Sequence, residues 1–131
     1  MTTELQMLIW ATVLGLVQLA AAASFNTAQR GLAWGAGPRD ETPAPVSPVA
    51  ARIDRAFRNF LETYAFFAVA VLLLQLTGRN TAQTALGAQV YFWARVLYVP
   101  AYAIGAPYLR TLVWAAALVG IVLVLRPLLQ L

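Results

Sequence analysis

Four long apolar segments limit what this chain can fold into. They cover residues 5–25, 60–78, 82–104 and 109–130. An α-helix rises about 1.5 Å per residue, so a segment of about 20 residues reaches about 30 Å, the thickness of the hydrocarbon core of a bilayer. The chain is 61% hydrophobic and only 11% charged, whereas soluble domains are about 25% charged. The sequence therefore predicts an integral membrane protein.

The links between these segments predict an all-α fold, an antiparallel bundle of four transmembrane helices. Short links make consecutive helices antiparallel neighbours. Only the link over residues 29–54 is long, and its GAGPRDETPAPVSP sequence is typical of a surface loop. We expect one domain over residues 1–131. Its predicted helices cover residues 5–28, 55–78, 82–104 and 109–130.

The arginines predict how the bundle is oriented. Most of the nine lie in or beside the long loop, and Arg110 follows the last turn on the same side. Only Arg79 and Arg126 lie at the opposite end. The positive-inside rule therefore places the long loop in the cytoplasm and both termini outside. The chain begins MTTEL without a basic residue, so we expect the first segment to be a retained span and not a cleaved signal peptide.

The residue types that are missing exclude several chemistries. The sequence has neither cysteine nor histidine, so we expect no disulfide framework, no metal site with thiolate or imidazole ligands, and no histidine-based nucleophile triad. The arginines are scattered between apolar segments and form no basic stripe. We therefore expect no binding to nucleic acid.

Two polar stripes lie on the second and third predicted helices. Arg55, Asn59 and Glu62 are spaced i, i+4, i+7 and share one helical face. Ionisable residues within apolar segments face protein or a wet cavity. The two stripes together predict a polar pocket that opens to the cytoplasm. The stripe on the third helix consists of Tyr91, Arg95, Tyr98 and Tyr102.

Simpler roles are open for each residue taken alone. Glu62 and Arg95 can neutralise each other as a structural ion pair, and tyrosines suit the membrane interface. Arginines near the loop suit lipid phosphates. Together, however, these residues can line a pocket. Arginines pair with carboxylates, a glutamate pairs with an ammonium group, and amides and phenols add directional hydrogen bonds. This set of groups predicts that the ligand is a small zwitterion with several carboxylates. An apolar or amphiphilic co-substrate would enter the pocket from the lipid.

The sequence resembles the MAPEG family, the membrane-associated proteins in eicosanoid and glutathione metabolism, and is most similar to its bacterial members. The resemblance rests on RAFRNFLE (55–62), ARVLYVPAY (94–102) and YLRTLVW (108–114) and covers nearly the whole chain. It implies a homotrimer in a bacterial inner membrane with glutathione sites between subunits. It also implies a glutathione transferase or peroxidase that acts on an apolar electrophile or a lipid hydroperoxide.

The resemblance implies roles for the residues of both stripes. Arg55 would hold a carboxylate of glutathione and Glu62 its free amine, with Asn59 beside them. Tyr98 and Tyr102 would complete the site from the third helix of a neighbouring subunit. The remaining basic candidates for ligand binding are Arg52 and Arg95, and Arg30 also matches a basic residue of the family.

Two residues are candidates for catalysis. A free thiol has a pKa of about 8.5, so only a few per cent is thiolate, the nucleophilic form, at pH 7. A nearby guanidinium favours the thiolate. Arg110 resembles the arginine that faces the glutathione sulfur, and Tyr102 or Tyr98 is the alternative as a hydrogen-bond donor. Thr63 follows the glutamate where glutathione-using members often have tyrosine.

Other functions stay open at this point. The family includes a non-catalytic member that presents lipid to another enzyme, and a fold does not fix a function. The alternatives are a scaffold that binds lipid or glutathione without turnover, and a small transporter or a subunit of a larger membrane complex. In the last case Glu62 and Arg95 would form a relay or an internal ion pair.

Overall fold

The structure, a computed structural model, describes residues 1–38, 47–105 and 107–130. Over these residues the chain forms helices and no strand. The predicted all-α membrane bundle is confirmed. Much of the Pro-rich part of the predicted loop falls on residues 39–46, outside the described residues. The helices are α1 (Thr3–Arg30), α2 (Leu32–Ala36), α3 (Pro48–Thr77), α4 (Ala82–Ala103) and α5 (Pro107–Leu129).

Local sequence signals fix the helix ends. α3 begins at Pro48 and not at residue 55 as predicted, because Ser47 accepts a hydrogen bond from the Ala50 N–H and proline is favoured at a first helical position. α3 ends where Gly78 adopts a φ of 67°, a conformation that glycine adopts without strain. The short helix α2 lies inside the region that was predicted as loop.

Within the described residues, three helices, α1, α3 and α5, are long and apolar enough to cross a membrane. α4 has 22 residues and is not among them, although the sequence predicted four spans. Its polar residues, Arg95 among them, lower its mean hydropathy. Its length still matches the bilayer, and its most extensive contact is with the apolar α5. α4 is therefore the central helix that carries polar groups inside the bundle.

Contacts near the helix ends show that consecutive long helices are antiparallel. The Thr2 hydroxyl at the start of α1 donates to Gln75 near the end of α3 at 3.0 Å. Arg126 near the end of α5 donates to Gln83 at the start of α4 at 3.1 Å. Arg52 near the start of α3 donates to Ala103 at the end of α4, so one end of the bundle gathers the end of α1, the start of α3, the end of α4 and the start of α5.

Two glycines let α4 and α5 approach closely. A Cβ atom on Gly87 would lie 2.7 Å from the Gly120 carbonyl oxygen, and a Cβ on Gly120 would lie 2.6 Å from the Gly87 oxygen. Real Cβ atoms do not come this near to backbone. Small residues at such crossings let membrane helices associate through backbone packing.

At the end of the bundle away from the long loop, Glu4 fastens α1 to α4. Its side chain is only 3% exposed. The carboxylate accepts hydrogen bonds from the Asn80 amide at 2.9 Å and from the Thr84 hydroxyl at 2.8 Å. Buried carboxylates are costly unless they are hydrogen-bonded in this way. Glu4 therefore has a structural role, which is to hold α1 against the start of α4.

We expect Gly120→Ala to lower stability, because overpacking a helix contact costs about 1–3 kcal/mol. The melting temperature of the detergent-purified protein should fall clearly. The neighbouring substitution Val119→Ala is the control, since Val119 is 55% exposed on the outer surface. Equal melting temperatures for Gly120→Ala and the wild type would contradict the close crossing of α4 and α5.

We expect Glu4→Ala to destabilise the opposite end by about 1–3 kcal/mol, because it removes the carboxylate acceptor of the buried Thr84 hydroxyl and of the partly buried Asn80 amide. Thermal unfolding measures this change. Gln6→Ala, in the same turn but exposed, should behave like the wild type. A Glu4→Ala protein as stable as Gln6→Ala would show that the carboxylate does not fasten the helices.

Candidate functional site

A cavity of about 370 Å³ lies at the end of the bundle where α3 begins and α4 ends. Three helices line it: α3 through one residue, α4 through two and α5 through three. The sequence singled out four of these six residues. The lining consists of Asn59, Tyr98, Tyr102, Arg110, Thr111 and Trp114.

Tyr102 is contacted by two guanidinium groups. Arg55 Nε donates a hydrogen bond to the Tyr102 hydroxyl oxygen at 3.1 Å. The Arg110 Cζ atom lies 4.9 Å from the centre of the Tyr102 ring, within the range of a cation–π contact. Arginine has no acceptor, so the phenol oxygen accepts from Arg55. The O–H of Tyr102 is thereby left to donate to another group.

Asn59 is linked to Arg95. Arg95 Nη1 donates to Asn59 Oδ1 at 2.9 Å, which ties α4 to α3. Arg95 is only 1% exposed, and it does not line the cavity. Its guanidinium lies 4.2 Å from the centre of the Tyr98 ring and 5.7 Å from that of Phe60. The structure therefore places Arg95 against Asn59 and outside the cavity lining, and its predicted contact with a ligand stays a prediction.

Glu62 and Arg95 do not form the ion pair that was one alternative. Within the described residues no N···O distance between them is 4.0 Å or less. Glu62 is exposed on α3, one turn after Asn59, and does not line the cavity. Its carboxylate lies on the surface that also carries Arg55. Both groups are therefore accessible to a ligand that extends out of the cavity along α3.

Tyr91 belongs to the core and not to the cavity. It is fully buried and its hydroxyl contacts the Thr63 hydroxyl at 3.0 Å. Its ring stacks on Phe67 with the ring centres 4.0 Å apart. The polar stripe predicted on the third helix therefore has two parts. Tyr91 bonds to α3 in the core, whereas Tyr98 and Tyr102 line the cavity.

Two other basic candidates lie away from the cavity. Arg52 Nη1 donates to the Ala103 carbonyl oxygen at 3.3 Å, so it caps the end of α4. Arg30 lies over the Trp34 ring at 5.0 Å. It lines a separate cavity of about 530 Å³ between α1, α2 and α3. The structure brings neither arginine to the lining of the Tyr102 cavity.

Thr111 and Trp114 also line the cavity, although neither was predicted to be a site residue. Trp114 follows Arg110 by four residues, which places the two on the same face of α5. That spacing is the signal that could have found it. Trp114 is 38% exposed, so its ring lies between the cavity and the outer surface of the bundle.

Tyr102 meets Arg55 within one chain. The resemblance implied that Tyr98 and Tyr102 reach the site from a neighbouring subunit. In the structure Tyr102 of the same chain already receives the hydrogen bond from Arg55. The cavity lining thus combines the guanidinium of Arg110, the phenol of Tyr102 and the amide of Asn59, and Arg55, which is not part of the lining, bonds to the same phenol. Such a set favours an anion, because every arginine N–H is a donor and both guanidinium groups are cationic.

We expect Arg52→Gln to lower the free energy of unfolding by about 1 kcal/mol, because a cation at the last carbonyls stabilises a helix end. Thermal unfolding measures the change. The matched control on the same helix is Arg58→Gln, whose ion pair with Asp54 involves an Arg58 side chain that is 72% exposed. Exposed pairs contribute little, so Arg58→Gln should melt like the wild type. An Arg52→Gln protein as stable as this control would contradict the capping role.

Comparison with known proteins identifies a family for this chain. The model of the MAPEG family matches residues 7–128, a region that contains every residue of the cavity lining. Comparison with curated proteins and with solved structures gave no significant match. MAPEG proteins are all-α membrane bundles that generally use glutathione. The matched region covers almost all of the sequence, and the chain therefore belongs to the MAPEG family.

Proposed function

We propose that the protein is a membrane-bound, glutathione-dependent transferase or peroxidase that acts on an apolar electrophile or a lipid hydroperoxide. Family membership supports the general class. The observation that carries the proposal is the convergence of Arg55 and Arg110 on Tyr102. Arg110, Tyr102 and Asn59 line the cavity at this end of the bundle, Arg55 lies beside it through its bond to Tyr102, and this excess of donors supports the binding of an anion.

Glutathione has chemical groups that match this surface. It carries two carboxylates, one ammonium group and one thiol. Arg55 is exposed at the start of α3 and suits a carboxylate, because arginine pairs with carboxylates through two parallel hydrogen bonds. Glu62 is exposed two turns further along the same face and suits the ammonium group. The peptide would then lie along α3 with its thiol directed into the cavity.

The thiol is the reactive group, and Arg110 is the residue that we assign to it. A guanidinium close to sulfur stabilises the thiolate, and each unit by which it lowers the thiol pKa is worth about 1.4 kcal/mol. The O–H of Tyr102 is available as a second donor to the sulfur. With an aryl halide, the thiolate forms a carbon–sulfur bond, the halide leaves, and the thiol proton passes to water.

The second substrate would arrive from the lipid. Trp114 lies at the boundary between the cavity and the outer surface, and α5 exposes further apolar side chains such as Leu112. An apolar electrophile dissolved in the bilayer can therefore approach the thiolate sideways. We propose that the site faces the cytoplasm of a bacterial cell, with both termini outside. We also propose that the chain assembles as a homotrimer in the inner membrane.

The first test is glutathione binding to the detergent-purified protein, measured by calorimetry with a thiol-free glutathione analogue for comparison. We expect saturable binding, and turnover in a conjugation assay with 1-chloro-2,4-dinitrobenzene. Binding without turnover of any electrophile or hydroperoxide would favour the non-catalytic alternative. No binding at millimolar glutathione would contradict the proposal.

We expect Arg55→Ala to weaken glutathione binding about tenfold or more, because it removes a charge-assisted contact to a carboxylate. Glu62→Ala should also weaken binding, through the ammonium group. Arg126→Ala is the control, since Arg126 lies at the opposite end and bonds to Gln83. Unchanged affinity in both Arg55→Ala and Glu62→Ala would show that the ligand does not lie along this face of α3.

We expect Arg110→Ala to separate binding from chemistry. Glutathione affinity should stay near that of the wild type, while kcat for conjugation falls about tenfold or more, since each lost pKa unit reduces the thiolate fraction tenfold. Direct titration of the bound thiol by its ultraviolet absorbance measures that fraction. Equal conjugation rates in the wild type and Arg110→Ala would rule out the role of Arg110.

A further inference from the structure

We propose that Arg95 is a positioning residue, which fixes the side-chain amide of Asn59 so that Asn59 presents only N–H donors to the ligand. The sequence suggested that Arg95 touches glutathione directly. The geometry points instead to an action through Asn59. This inference rests on the proposed function and adds to it the chemical group that the inner end of the site recognises.

The direction of the hydrogen bond follows from the chemistry of arginine. All five N–H groups of a guanidinium donate and none accepts. The atom of Asn59 that lies 2.9 Å from Arg95 Nη1 must therefore be its oxygen, Oδ1. A rotated amide would place two donors against each other beside a full positive charge. The Nδ2 group is consequently directed away from Arg95.

The surroundings of Arg95 keep its guanidinium in place. The side chain is 1% exposed, and its guanidinium contacts the rings of both Tyr98 and Phe60. Within the described residues, Nε and Nη2 have no hydrogen-bond partner. The bond from Nη1 to Asn59 is thus the polar contact through which this buried cation acts on the cavity. Breaking this bond would leave the buried cation without its acceptor, which is costly, and the bond therefore holds Asn59 in place.

The consequence concerns which group of the ligand lies at Asn59. An asparagine that is free to rotate can face a donor or an acceptor, but Asn59 in this orientation offers two N–H donors. It therefore selects a carboxylate or carbonyl oxygen and rejects an ammonium group. The positive charge of Arg95 directly behind it adds to this preference. The ammonium group of the ligand must then lie elsewhere on the site.

The first variant that tests this inference is Asn59→Asp. Aspartate keeps an oxygen for Arg95 but replaces the two donors with a second oxygen. We expect a melting temperature at or above that of the wild type, and an affinity for glutathione that is lower by about tenfold or more. Affinity for the diethyl ester of glutathione, whose carboxylates are neutral, should fall much less. Wild-type affinity for glutathione in Asn59→Asp would overturn the inference.

The second test is a double-mutant cycle on affinity. Arg95→Met should weaken glutathione binding about tenfold, and in an Asn59→Ala background the same change should have an effect of about twofold or less, because coupled residues are not additive. Arg95→Lys, which retains the charge and a donor, should restore part of the loss. Tyr91→Phe removes a buried hydrogen bond one turn away and is the control, for which we expect unchanged affinity.

The outcomes separate this inference from the proposed function. If the wild type binds glutathione and the two substitutions act additively, Arg95 does not work through Asn59 and the inference fails alone. If the wild type does not bind glutathione, the proposed function fails. The melting temperatures of the four proteins in the cycle then test the contact between Arg95 and Asn59. Non-additive changes in melting temperature uphold this contact, and additive changes overturn it.

Discussion

A guanidinium that is buried between membrane helices must find its hydrogen-bond acceptor on a neighbouring helix, since neither lipid nor its own helix backbone provides one. In this protein Arg95 is a buried arginine that needs such an acceptor. Its bond to Asn59 ties α4 to α3 at the depth where the cavity ends. The apolar crossing of α4 and α5 at Gly87 and Gly120 then places the start of α5 beside the same cavity.

The two ends of the bundle use polar groups in different ways. At the end away from the long loop, the carboxylate of Glu4 is matched with donors from Asn80 and Thr84. At the other end, Arg55 and Arg110 both act on one neutral phenol, that of Tyr102. Matched polar groups stabilise the fold, whereas an excess of donors around a cavity supplies binding energy to an anionic ligand. This contrast separates the structural end from the end that we propose to be functional.

Much of the fold could be predicted because apolar segments of bilayer length leave few alternatives, and helical spacing places Arg55, Asn59 and Glu62 on one face. The start of α3 was missed because the apolar pattern begins after the polar turns that Ser47 and Pro48 initiate. The roles of individual arginines were less predictable. Spacing shows which face a residue occupies, but not whether the partner on that face is a ligand or another helix. Arg52 and Arg95 have protein partners, at Ala103 and Asn59.

We propose that one end of this bundle, and not the other, is a glutathione site. Hydrogen–deuterium exchange of the full chain in detergent, with and without saturating glutathione, tests it most directly. We expect slower exchange on glutathione binding at the start of α3, the end of α4 and the start of α5, with no change around Glu4 and Thr84. Protection that is absent, or that appears at the Glu4 end instead, would contradict the assignment of the site.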